Sequence, residues 1–463
     1  MKRVHFIAIG GSAMHNLAIA LKLKGYKISG SDDEIFEPSK SRLKKHGILP
    51  TNFGWDANKI TSDIDEIILG MHARVDNPEL LRAQELGIRI YSYPEYLYEQ
   101  SKDKQRIVIG GSHGKTTITA MILHVFQNLN IACDYMVGAK LDGFDVMVKL
   151  TQEAKYMIIE GDEYLTSPID RRPKFHLYMP NIALLSGIAW DHINVFPTFN
   201  NYLEQFKTFI KLIDKKGALV YCDNDIELRN IVKDTAPELK KLPYNIPEHY
   251  IDNVGITHII DNNMDIPLKI FGNHNLMNLT GAGLVCQQIG ISKEDFYKSI
   301  QSFTGASNRL ELIAENKSTK VFKDFAHSPS KLKATTNAVK YQFKNRKLVA
   351  CMELHTFSSL KAEFLSHYAN AMDSADIAIV YFNPHTIEHK KLPPISIEQV
   401  KEGFARNDLI VFTESSHLQE YLKKLDYSNK NLLIMTSGNL DGVDLKKFGQ
   451  EIVDNYNPKE TLY

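Results

Sequence analysis

The 463-residue sequence contains little cysteine, and its four cysteines lie too far apart to form a recognisable site. They are Cys133, Cys222, Cys286 and Cys351, and no two of them form a Cys-x-x-Cys pair. This spacing excludes the usual zinc motifs and a disulfide framework, and it is typical of proteins from the reducing cytoplasm. We therefore expect four packed free thiols and a cytoplasmic location.

The sequence also has no excess of charge and no long apolar run. Its 55 Lys and Arg residues equal its 55 Asp and Glu residues, so the formal net charge is zero when histidine is neutral. Proteins that coat nucleic acid or anionic membranes usually carry an excess of basic residues, and a membrane helix needs about 20 apolar residues. Polar residues interrupt the apolar N-terminal stretch, which argues against a signal peptide. We expect no nucleic-acid partner and no membrane insertion.

The sequence does contain enough apolar residues for several cores. Hydrophobic residues make up 43% of the chain and charged residues 24%, the balance of a globular protein. At about 150 residues per domain, the length predicts about three domains. Short apolar strands alternate with helical patterns throughout, which predicts an α/β protein with parallel sheets. We place the domains at residues 1–103, 104–302 and 303–463, with a polar linker over 100–106.

The first predicted domain opens with a strand, a glycine turn and a helix. Residues 4–9 predict a buried strand, and Gly10-Gly11-Ser12 follows it directly. Such a turn lets the backbone approach a pyrophosphate and points the helix N-terminus at its charge, although a tightly packed turn has the same pattern. Asp32 ends the second predicted strand, where a carboxylate can hold a ribose hydroxyl or cap a turn.

The second predicted domain opens with the strongest motif in the chain. A short apolar strand at 107–109 leads into Gly110-Gly111-Ser112-His113-Gly114-Lys115-Thr116-Thr117, and a helical pattern begins at once. Successive backbone N–H groups of such a loop wrap phosphate oxygens, while the lysine neutralises phosphate charge and the threonine hydroxyl can ligate Mg²⁺. The motif predicts that the loop binds the phosphates of a nucleotide.

Further along, polar residues follow predicted strands or open a helix. Glu160 ends the strand at 156–159, and His192 follows the strand at 182–188. Side chains just past the ends of parallel strands are well placed to hold a metal ion near the phosphates. Asn275 and Asn278 begin a helix and share one face of it, where they match an adenine edge or act as caps.

Several of these motifs occur in one order that resembles the Mur ligases, ATP-dependent amide-forming enzymes of peptidoglycan synthesis. The matching pieces are Gly-Ser-His-Gly-Lys-Thr-Thr at 111–117, Glu-Gly-Asp-Glu at 160–163, Asp-His at 191–192, Gly-Asn-His-Asn-x-x-Asn at 272–278, Asn-Arg-Leu-Glu at 308–311 and Asp-Phe-Ala-His-Ser-Pro at 324–329. The resemblance implies a Rossmann-like UDP-sugar-binding domain, a central P-loop ATPase-type α/β domain and a C-terminal Rossmann-like α/β domain.

The resemblance also implies roles for individual residues. Those implied for ATP binding are Gly111, Ser112, His113, Gly114, Lys115, Thr116, Thr117, His274, Asn275, Asn278, Arg309 and Asp324. Those implied for catalysis are Lys115, Glu160, His192 and His327, and those implied for Mg²⁺ are Thr116, Glu160 and His192. Those implied for the UDP-sugar are Gly10, Gly11, Ser12, Asp32 and Arg74.

The implied reaction joins UDP-N-acetylmuramate to an amino acid or peptide through an acyl phosphate. Residues 170–180 resemble ligases that add the tripeptide L-Ala-γ-D-Glu-meso-diaminopimelate, and the interpretation favours that amine. The alternative is L-alanine, because residues 353–357 resemble the alanine ligases. An alternative of another class is a P-loop NTPase or a small-molecule kinase. The oligomeric state is not predicted.

Overall fold

The computed structural model describes residues 1–139, 141, 143–144, 146–190, 195–262, 264–306 and 309–455. These residues form two compact units. The first comprises residues Met1–Ile246 and Met277–Ile300, and the second comprises Pro247–Leu276 and the described residues from Gln301 onward. The division into three domains at residues 103 and 302 stays a prediction. No helix in the described ranges is both long and apolar enough to cross a bilayer.

The first unit begins with a four-stranded parallel sheet in the order β2-β1-β3-β4. Its strands are β1 (Arg3–Ile7), β2 (Lys27–Ser31), β3 (Glu66–Leu69) and β4 (Arg89–Ser92). Its helices are α1 (Ser12–Leu23), α2 (Ser39–Lys45), α3 (Pro78–Glu85) and α4 (Tyr93–Glu99). This series confirms the predicted β-α-β alternation. Because the strands are parallel, the loops after β1, β2 and β3 all leave the sheet at one edge.

The first unit also holds a seven-stranded sheet in the order β11-β10-β9-β5-β8-β6-β7. Its strands are β5 (Gln105–Gly110), β6 (Cys133–Met136), β7 (Val148–Lys149), β8 (Tyr156–Glu160), β9 (Ile182–Leu185), β10 (Ala218–Cys222) and β11 (Lys240–Tyr244). All pairs are parallel except the β6–β7 pair. The helices that follow are α5 (Lys115–Asn128), α6 (Phe199–Lys211), α7 (Ile226–Asp234), α8 (Asn273–Gln288) and α9 (Lys293–Ile300). The residues of α8 up to Leu276 belong to the second unit and those from Met277 onward to the first. The buried strand β5 therefore lies between β8 and β9, with its loop at their carboxyl ends.

The predicted polar linker over residues 100–106 is wrong in its second half. β5 already begins at Gln105, and both Lys104 and Arg106 are buried. The Lys104 ammonium lies 2.8 Å from an Asp134 carboxylate oxygen, and the Arg106 guanidinium donates to backbone carbonyls that include Tyr178 O at 3.0 Å. The two cations are buried because each has partners inside the unit, which the local sequence does not reveal.

The second unit contains a small antiparallel sheet and a larger mixed one. The small sheet consists of β12 (His249–Ile251), β13 (Thr257–Asp261) and β14 (Met264–Leu268). The larger sheet has the order β15-β16-β20-β17-β18-β19 and only its β15–β16 pair is antiparallel. Its strands are β15 (Glu311–Glu315), β16 (Lys320–Asp324), β17 (Lys347–Leu354), β18 (Ile377–Phe382), β19 (Ile410–Phe412) and β20 (Lys430–Met435).

Helices pack on both faces of this larger sheet. They are α10 (Pro329–Gln342), α11 (Ala362–Leu365), α12 (Pro384–His389), α13 (Ile397–Phe404), α14 (Ser415–Lys424) and α15 (Leu445–Asn455). Two apolar cores, one on each face, contain alternate residues of β17, such as Ala350 and Cys351. The predicted α/β class is confirmed, as is the burial of all four free cysteines.

Candidate active site

The loop between β5 and α5 has a backbone path that requires glycine at two positions. Gly111 has φ of 111° and Gly114 has φ of 79°, a region that side chains disfavour. A Cβ atom at Gly111 would lie 2.5 Å from Ser186 Oγ, and one at Gly114 would lie 2.4 Å from Asn278 Oδ1. The absence of side chains at these two glycines therefore lets Ser186, which follows β9, and Asn278 of α8 approach the loop closely.

Hydrogen bonds from residues outside the loop hold its backbone in place. The Ser112 hydroxyl donates to Ala189 O at 2.9 Å and accepts from Ala189 N–H at 2.7 Å. The Ser186 hydroxyl donates to His113 O. Ser112 thus contacts the segment after β9, although the resemblance assigns it to ATP. Thr117 is buried in the first turn of α5.

The predicted phosphate-binding lysine is held by an acid that the sequence interpretation did not single out. Lys115 Nζ lies 2.9 Å from Glu163 Oε2 and 2.7 Å from Gly111 O. Burial disfavours the ammonium, but the carboxylates of Glu163, Asp162 and Glu160 outweigh burial and raise the pKa of Lys115. Lys115 is therefore a fixed cation at the start of α5.

Thr116 and Glu160 form an oxygen pair beside this lysine. The Thr116 hydroxyl donates to Glu160 Oε1 at 2.8 Å, and Gly138 N–H donates to Glu160 Oε2 at 2.9 Å. A hydroxyl and a carboxylate are ligands that suit Mg²⁺, so these residues fit the implied metal. His192, the third predicted ligand, lies outside the described residues, and the described part of the chain contains no cluster of three His, Cys, Asp or Glu residues placed as metal ligands.

In the first sheet, the glycine turn is tied to the end of β2. Gly10 N–H donates to Asp32 Oδ2 at 2.6 Å. Burial raises the pKa of Asp32 to about 6, although this hydrogen bond favours the carboxylate. Gly11 precedes the first residue of α1 and has no side chain to cap it. Arg74, by contrast, lies on the loop after β3, where it is 85% exposed and pairs with Asp76 at 3.2 Å.

A cavity of about 290 Å³ joins the turn of the first sheet to the phosphate loop. Its lining residues are Ser12, Ala13, Asn16, Tyr93, Lys115, Met136, Val137, Gly138, Met147, Val148, Glu160, Asp162, Lys174 and Tyr178. Ser12 comes from the predicted sugar-binding turn, whereas Lys115 and Glu160 come from the predicted ATP site. The structure therefore brings these three predicted residues to one cavity, and Arg74 is not among its lining residues.

The remaining predicted residues at the start of α8 form a compact turn. Burial lowers the pKa of His274 to about 4, so the imidazole is neutral at pH 7. The Asn275 side chain donates to Phe271 O at 3.0 Å, four residues earlier, and Gly272 has φ of 88°. The helix start predicted here is confirmed, and Asn275 acts locally on its own first turn.

The predicted residues around β16 also have local partners within the second unit. Asp324 is buried and accepts hydrogen bonds from Leu310 N–H and Ala326 N–H, both at 2.6 Å, while burial raises its pKa. The Arg309 guanidinium lies 5.0 Å from the centre of the Phe325 ring. His327 Nδ1 lies 3.0 Å from Phe325 O. Asp324 thus holds two loops at the carboxyl end of β16.

The sequence interpretation missed the supporting residues of the site. Glu163 accepts a hydrogen bond from the Tyr202 hydroxyl at 3.0 Å as well as from Lys115, and Lys174 pairs with Asp162 at 2.5 Å. Glu163 stands three residues after Glu160 and could have been considered with it. Tyr202 belongs to no quoted motif, and Lys174 lies in the 170–180 segment without having been assigned a role, so only the tertiary structure identifies their contacts.

Fold and site together define an α/β protein in which the predicted phosphate loop follows a central strand of a mostly parallel sheet. Residues 109–286 match the family model described as "Mur ligase middle domain", and residues 3–105 match "Mur ligase family, catalytic domain". The chain belongs to the Mur ligase family and is an ATP-dependent acid–amino-acid ligase.

One relative and two solved structures cover four fifths of the chain or more. The UDP-N-acetylmuramate–L-alanine ligase of Clostridium kluyveri is 31% identical over 385 residues, which are 80% of this chain and 81% of that protein. The solved structure of the UDP-N-acetylmuramate–alanine ligase of Thermotoga maritima has a TM-score of 0.69 at 20% identity, over 98% of this chain and 99% of that one. A murein peptide ligase of Psychrobacter arcticus has a TM-score of 0.61 at 20% identity, over the same shares. These two structures share the fold with this chain.

Proposed function

We propose that this protein joins the carboxylate of UDP-N-acetylmuramate to the amino group of L-alanine in the cytoplasm, using ATP and Mg²⁺. The observation that carries the proposal is one cavity lined by Ser12, at the start of α1, and by Lys115 and Glu160, at the start of α5 and the end of β8. A ligase that phosphorylates its acid substrate needs the carboxylate beside the γ-phosphate of ATP. A cavity with the predicted sugar loop on one side and the predicted ATP loop on the other supports that arrangement.

The comparison with known proteins changes the preferred amine substrate from the tripeptide to L-alanine. The sequence interpretation favoured the tripeptide, but the C. kluyveri relative is an L-alanine ligase and supports the alternative better. The placement of the two segments agrees with this choice. Residues 170–180 contribute Lys174 and Tyr178 to the cavity wall. Glu353 is the last residue but one of β17 and His355 follows that strand, at the edge where parallel strands present their carboxyl ends to ligands.

In the proposed reaction, ATP converts the carboxylate oxygen into a phosphate that can leave. A carboxylate oxygen is a poor leaving group, so the γ-phosphoryl group is first transferred to it to give an acyl phosphate. The amine then attacks the carbonyl carbon, loses a proton, and inorganic phosphate departs. Lys115 neutralises charge on the transferred group, and the loop N–H groups orient the phosphates. Closure against water would protect the acyl phosphate from hydrolysis.

Thr116 and Glu160 would hold Mg²⁺ in this proposal, with His192 as a further predicted ligand. When bound, the ion neutralises phosphate charge and orients the oxygens for in-line transfer. The oxygen pair of Thr116 and Glu160 is already assembled, since Gly138 N–H fixes the far oxygen of the carboxylate. The site therefore needs little rearrangement to accept the ion.

The experiment that tests this function follows ADP release. We expect ADP to appear at a steady rate only when UDP-N-acetylmuramate and L-alanine are both present with ATP and Mg²⁺. The Lys115→Met protein, purified in the same way, is the control for contaminating ATPases. Steady ADP release without any amine would instead favour a kinase or an NTPase.

A further inference from the structure

A buried acid and a partly exposed histidine face each other at the carboxyl edge of the larger sheet in the second unit. Glu353 lies near the end of β17, whose neighbours β18 and β20 are both parallel to it. Its oxygen Oε1 lies 3.6 Å from Nδ1 of His355, and the side chains of Glu353 and His355 are 3% and 37% exposed. Solvent therefore reaches the pair from the side of His355, at the edge where parallel strands present groups to ligands.

The loop after β20 holds the Glu353 carboxylate in place. The Thr436 hydroxyl and the Leu440 N–H both donate to Glu353 Oε2, the N–H at 3.3 Å. In the described part of the chain, the polar partner of the other oxygen, Oε1, is His355 Nδ1 alone. Two donors on one oxygen suit an ionised carboxylate, which can only accept. Glu353 is therefore an oriented acceptor for His355.

The same loop lies directly against both side chains. A Cβ atom at Gly438 would lie 2.8 Å from His355 Nδ1 and 2.7 Å from Glu353 Oε2, so the loop can take this path only with glycine at that position. Further along the loop, Asp441 accepts a hydrogen bond from the Tyr381 hydroxyl. The backbone beside the pair is thus held on both sides of Gly438.

The carboxylate determines which nitrogen of His355 carries the proton. An acceptor beside Nδ1 favours the tautomer with hydrogen on Nδ1, which leaves a free electron pair on Nε2. Among the described residues, His355 Nε2 has no hydrogen-bond partner. A carboxylate beside an imidazole also stabilises the charged ring after it takes up a proton. This is the arrangement of a general base, in which hydrogen bonds are often long before the substrate binds.

The proposed reaction needs such a base. The amino group of L-alanine is an ammonium ion at pH 7, and an ammonium ion has no electron pair with which to attack the acyl phosphate. We propose that Nε2 of His355 removes one proton from this ammonium group, and that Glu353 positions the ring. The inference rests on the proposed function, because it assigns the base for the amine step of that reaction.

The protons and bonds of the step balance. His355 takes one proton from the ammonium group, and the free amine forms the C–N bond at the carbonyl carbon. The C–O bond to the phosphoryl group then breaks, and phosphate leaves with the bonding electrons. A second proton passes from the nitrogen to the departing phosphate, one hydrogen stays on the amide, and His355 returns its proton to solvent.

The test compares two nucleophiles with the full-length protein at pH 7. L-Alanine needs a base, whereas hydroxylamine is largely unprotonated at pH 7 and converts an acyl phosphate to a hydroxamate without one. We expect His355→Asn to lower the rate of UDP-N-acetylmuramoyl-L-alanine formation about 100-fold, at the low end of the contribution of a general base. The rate of hydroxamate formation should stay close to the wild-type rate, because phosphoryl transfer does not use His355.

Glu353→Gln tests the positioning role. The amide keeps the shape of the side chain but removes the charge, so we expect about a tenfold loss with L-alanine and an unchanged rate with hydroxylamine. The matched control is His417→Asn, which breaks another His–Glu pair of the second unit. His417 Nδ1 lies 3.4 Å from Glu414 Oε2, but both side chains are 65% exposed. Both rates of this control should equal those of the wild type.

Two results overturn the inference. One is an L-alanine rate in His355→Asn that is close to the wild-type rate. The other is an equal loss with both nucleophiles, because it would give His355 a role in phosphoryl transfer or in the fold. His355→Gln decides the question if circular dichroism shows that His355→Asn does not fold.

The same experiment separates the inference from the proposed function. A wild-type protein that makes neither product refutes the proposed function and the inference with it. A wild-type protein that makes the hydroxamate but no L-alanine product refutes the proposed amine only. The same comparison with the tripeptide then decides the role of His355, because the α-amino group of the tripeptide is also an ammonium ion at pH 7.

Discussion

The ion pair between Lys115 and Glu163 provides the most quantitative prediction about the site. The perturbation is a double-mutant cycle of Lys115→Met, Glu163→Gln and the combined variant. Both charges are largely shielded from solvent, because the side chains are 17% and 2% exposed. Glu163 also accepts from the Tyr202 hydroxyl at 3.0 Å, so its carboxylate cannot turn towards solvent without losing that bond.

The magnitude follows from the 2.9 Å separation of Lys115 Nζ and Glu163 Oε2. At an effective dielectric constant of about 20, two unit charges at that distance attract by about 6 kcal/mol. Removal of both charges from water offsets most of this attraction. A hydrogen bond to a charged partner leaves about 1.5–3 kcal/mol, so we expect a coupling free energy of about 2 kcal/mol.

The assay is urea unfolding of the nucleotide-free protein at pH 7. Each single variant should lose about 2–4 kcal/mol of unfolding free energy, because it leaves one buried charge without its partner. The double variant should lose less than the sum of the two. The control cycle removes Arg82 and Glu85, an ion pair whose side chains are 44% and 66% exposed, and its coupling should not exceed about 0.5 kcal/mol. If the Lys115 and Glu163 effects add within about 0.5 kcal/mol, the ion pair is not coupled and the reasoning is refuted.

Three further variants test other contacts. Lys115→Ala should lower kcat about 1000-fold, measured as ADP release, with an unchanged circular dichroism spectrum, because a fixed cation at the γ-phosphate is lost. Thr116→Val should raise the Mg²⁺ concentration for half-maximal activity about tenfold, because one oxygen ligand is lost. Glu79→Gln should cost about 2 kcal/mol in urea unfolding at pH 7, because buried Glu79 accepts from Asp56 N–H at 3.0 Å and lies 3.3 Å from His5 Nε2.

The Glu79 contribution should depend on pH in a defined direction. Burial opposes ionisation, but the hydrogen bonds from His5 and Asp56 N–H outweigh it and lower the pKa of Glu79. A lowered pKa stabilises the fold above the unfolded-state pKa, and this stabilisation disappears as the pH falls through the folded-state value. The difference between wild type and Glu79→Gln should therefore shrink below about pH 4. A difference that grows on acidification would contradict this account.

Specific results for Lys115→Ala and Thr116→Val would contradict the roles proposed for these two residues. Near-normal activity of Lys115→Ala would remove this lysine from the site. A Mg²⁺ titration of Thr116→Val that overlays the wild-type curve would show that the hydroxyl serves only its hydrogen bond to Glu160.

The parts of the site that local sequence encodes were predictable. The residues from Gly110 to Thr117 are contiguous in sequence, so the motif alone specifies where they lie. The positive φ angles of Gly111 and Gly114 form the loop, and α5 begins directly at Lys115. The same holds for strands such as β5, β18 and β20, each a short apolar run that is followed by a helix. β12 to β14 were not predicted, because they are three to five residues long and partly exposed, with polar residues such as His249 and Asp265.

The partners of the predicted residues could not be read from the sequence. Glu163 is 48 positions from Lys115, and Tyr202 is 39 positions from Glu163, so only folding brings them together. Lys104 and Arg106 looked like exposed linker residues because burial of a cation depends on acceptors elsewhere in the chain.

The most direct measurement of the central claim is mass spectrometry of the reaction product. The purified protein is incubated with ATP, Mg²⁺, UDP-N-acetylmuramate and an equimolar mixture of L-alanine and the tripeptide L-Ala-γ-D-Glu-meso-diaminopimelate. We expect the mass of UDP-N-acetylmuramoyl-L-alanine, formed with an equal amount of ADP. The tripeptide product alone would contradict the proposed amine, and the absence of any ligated product would contradict the proposed reaction.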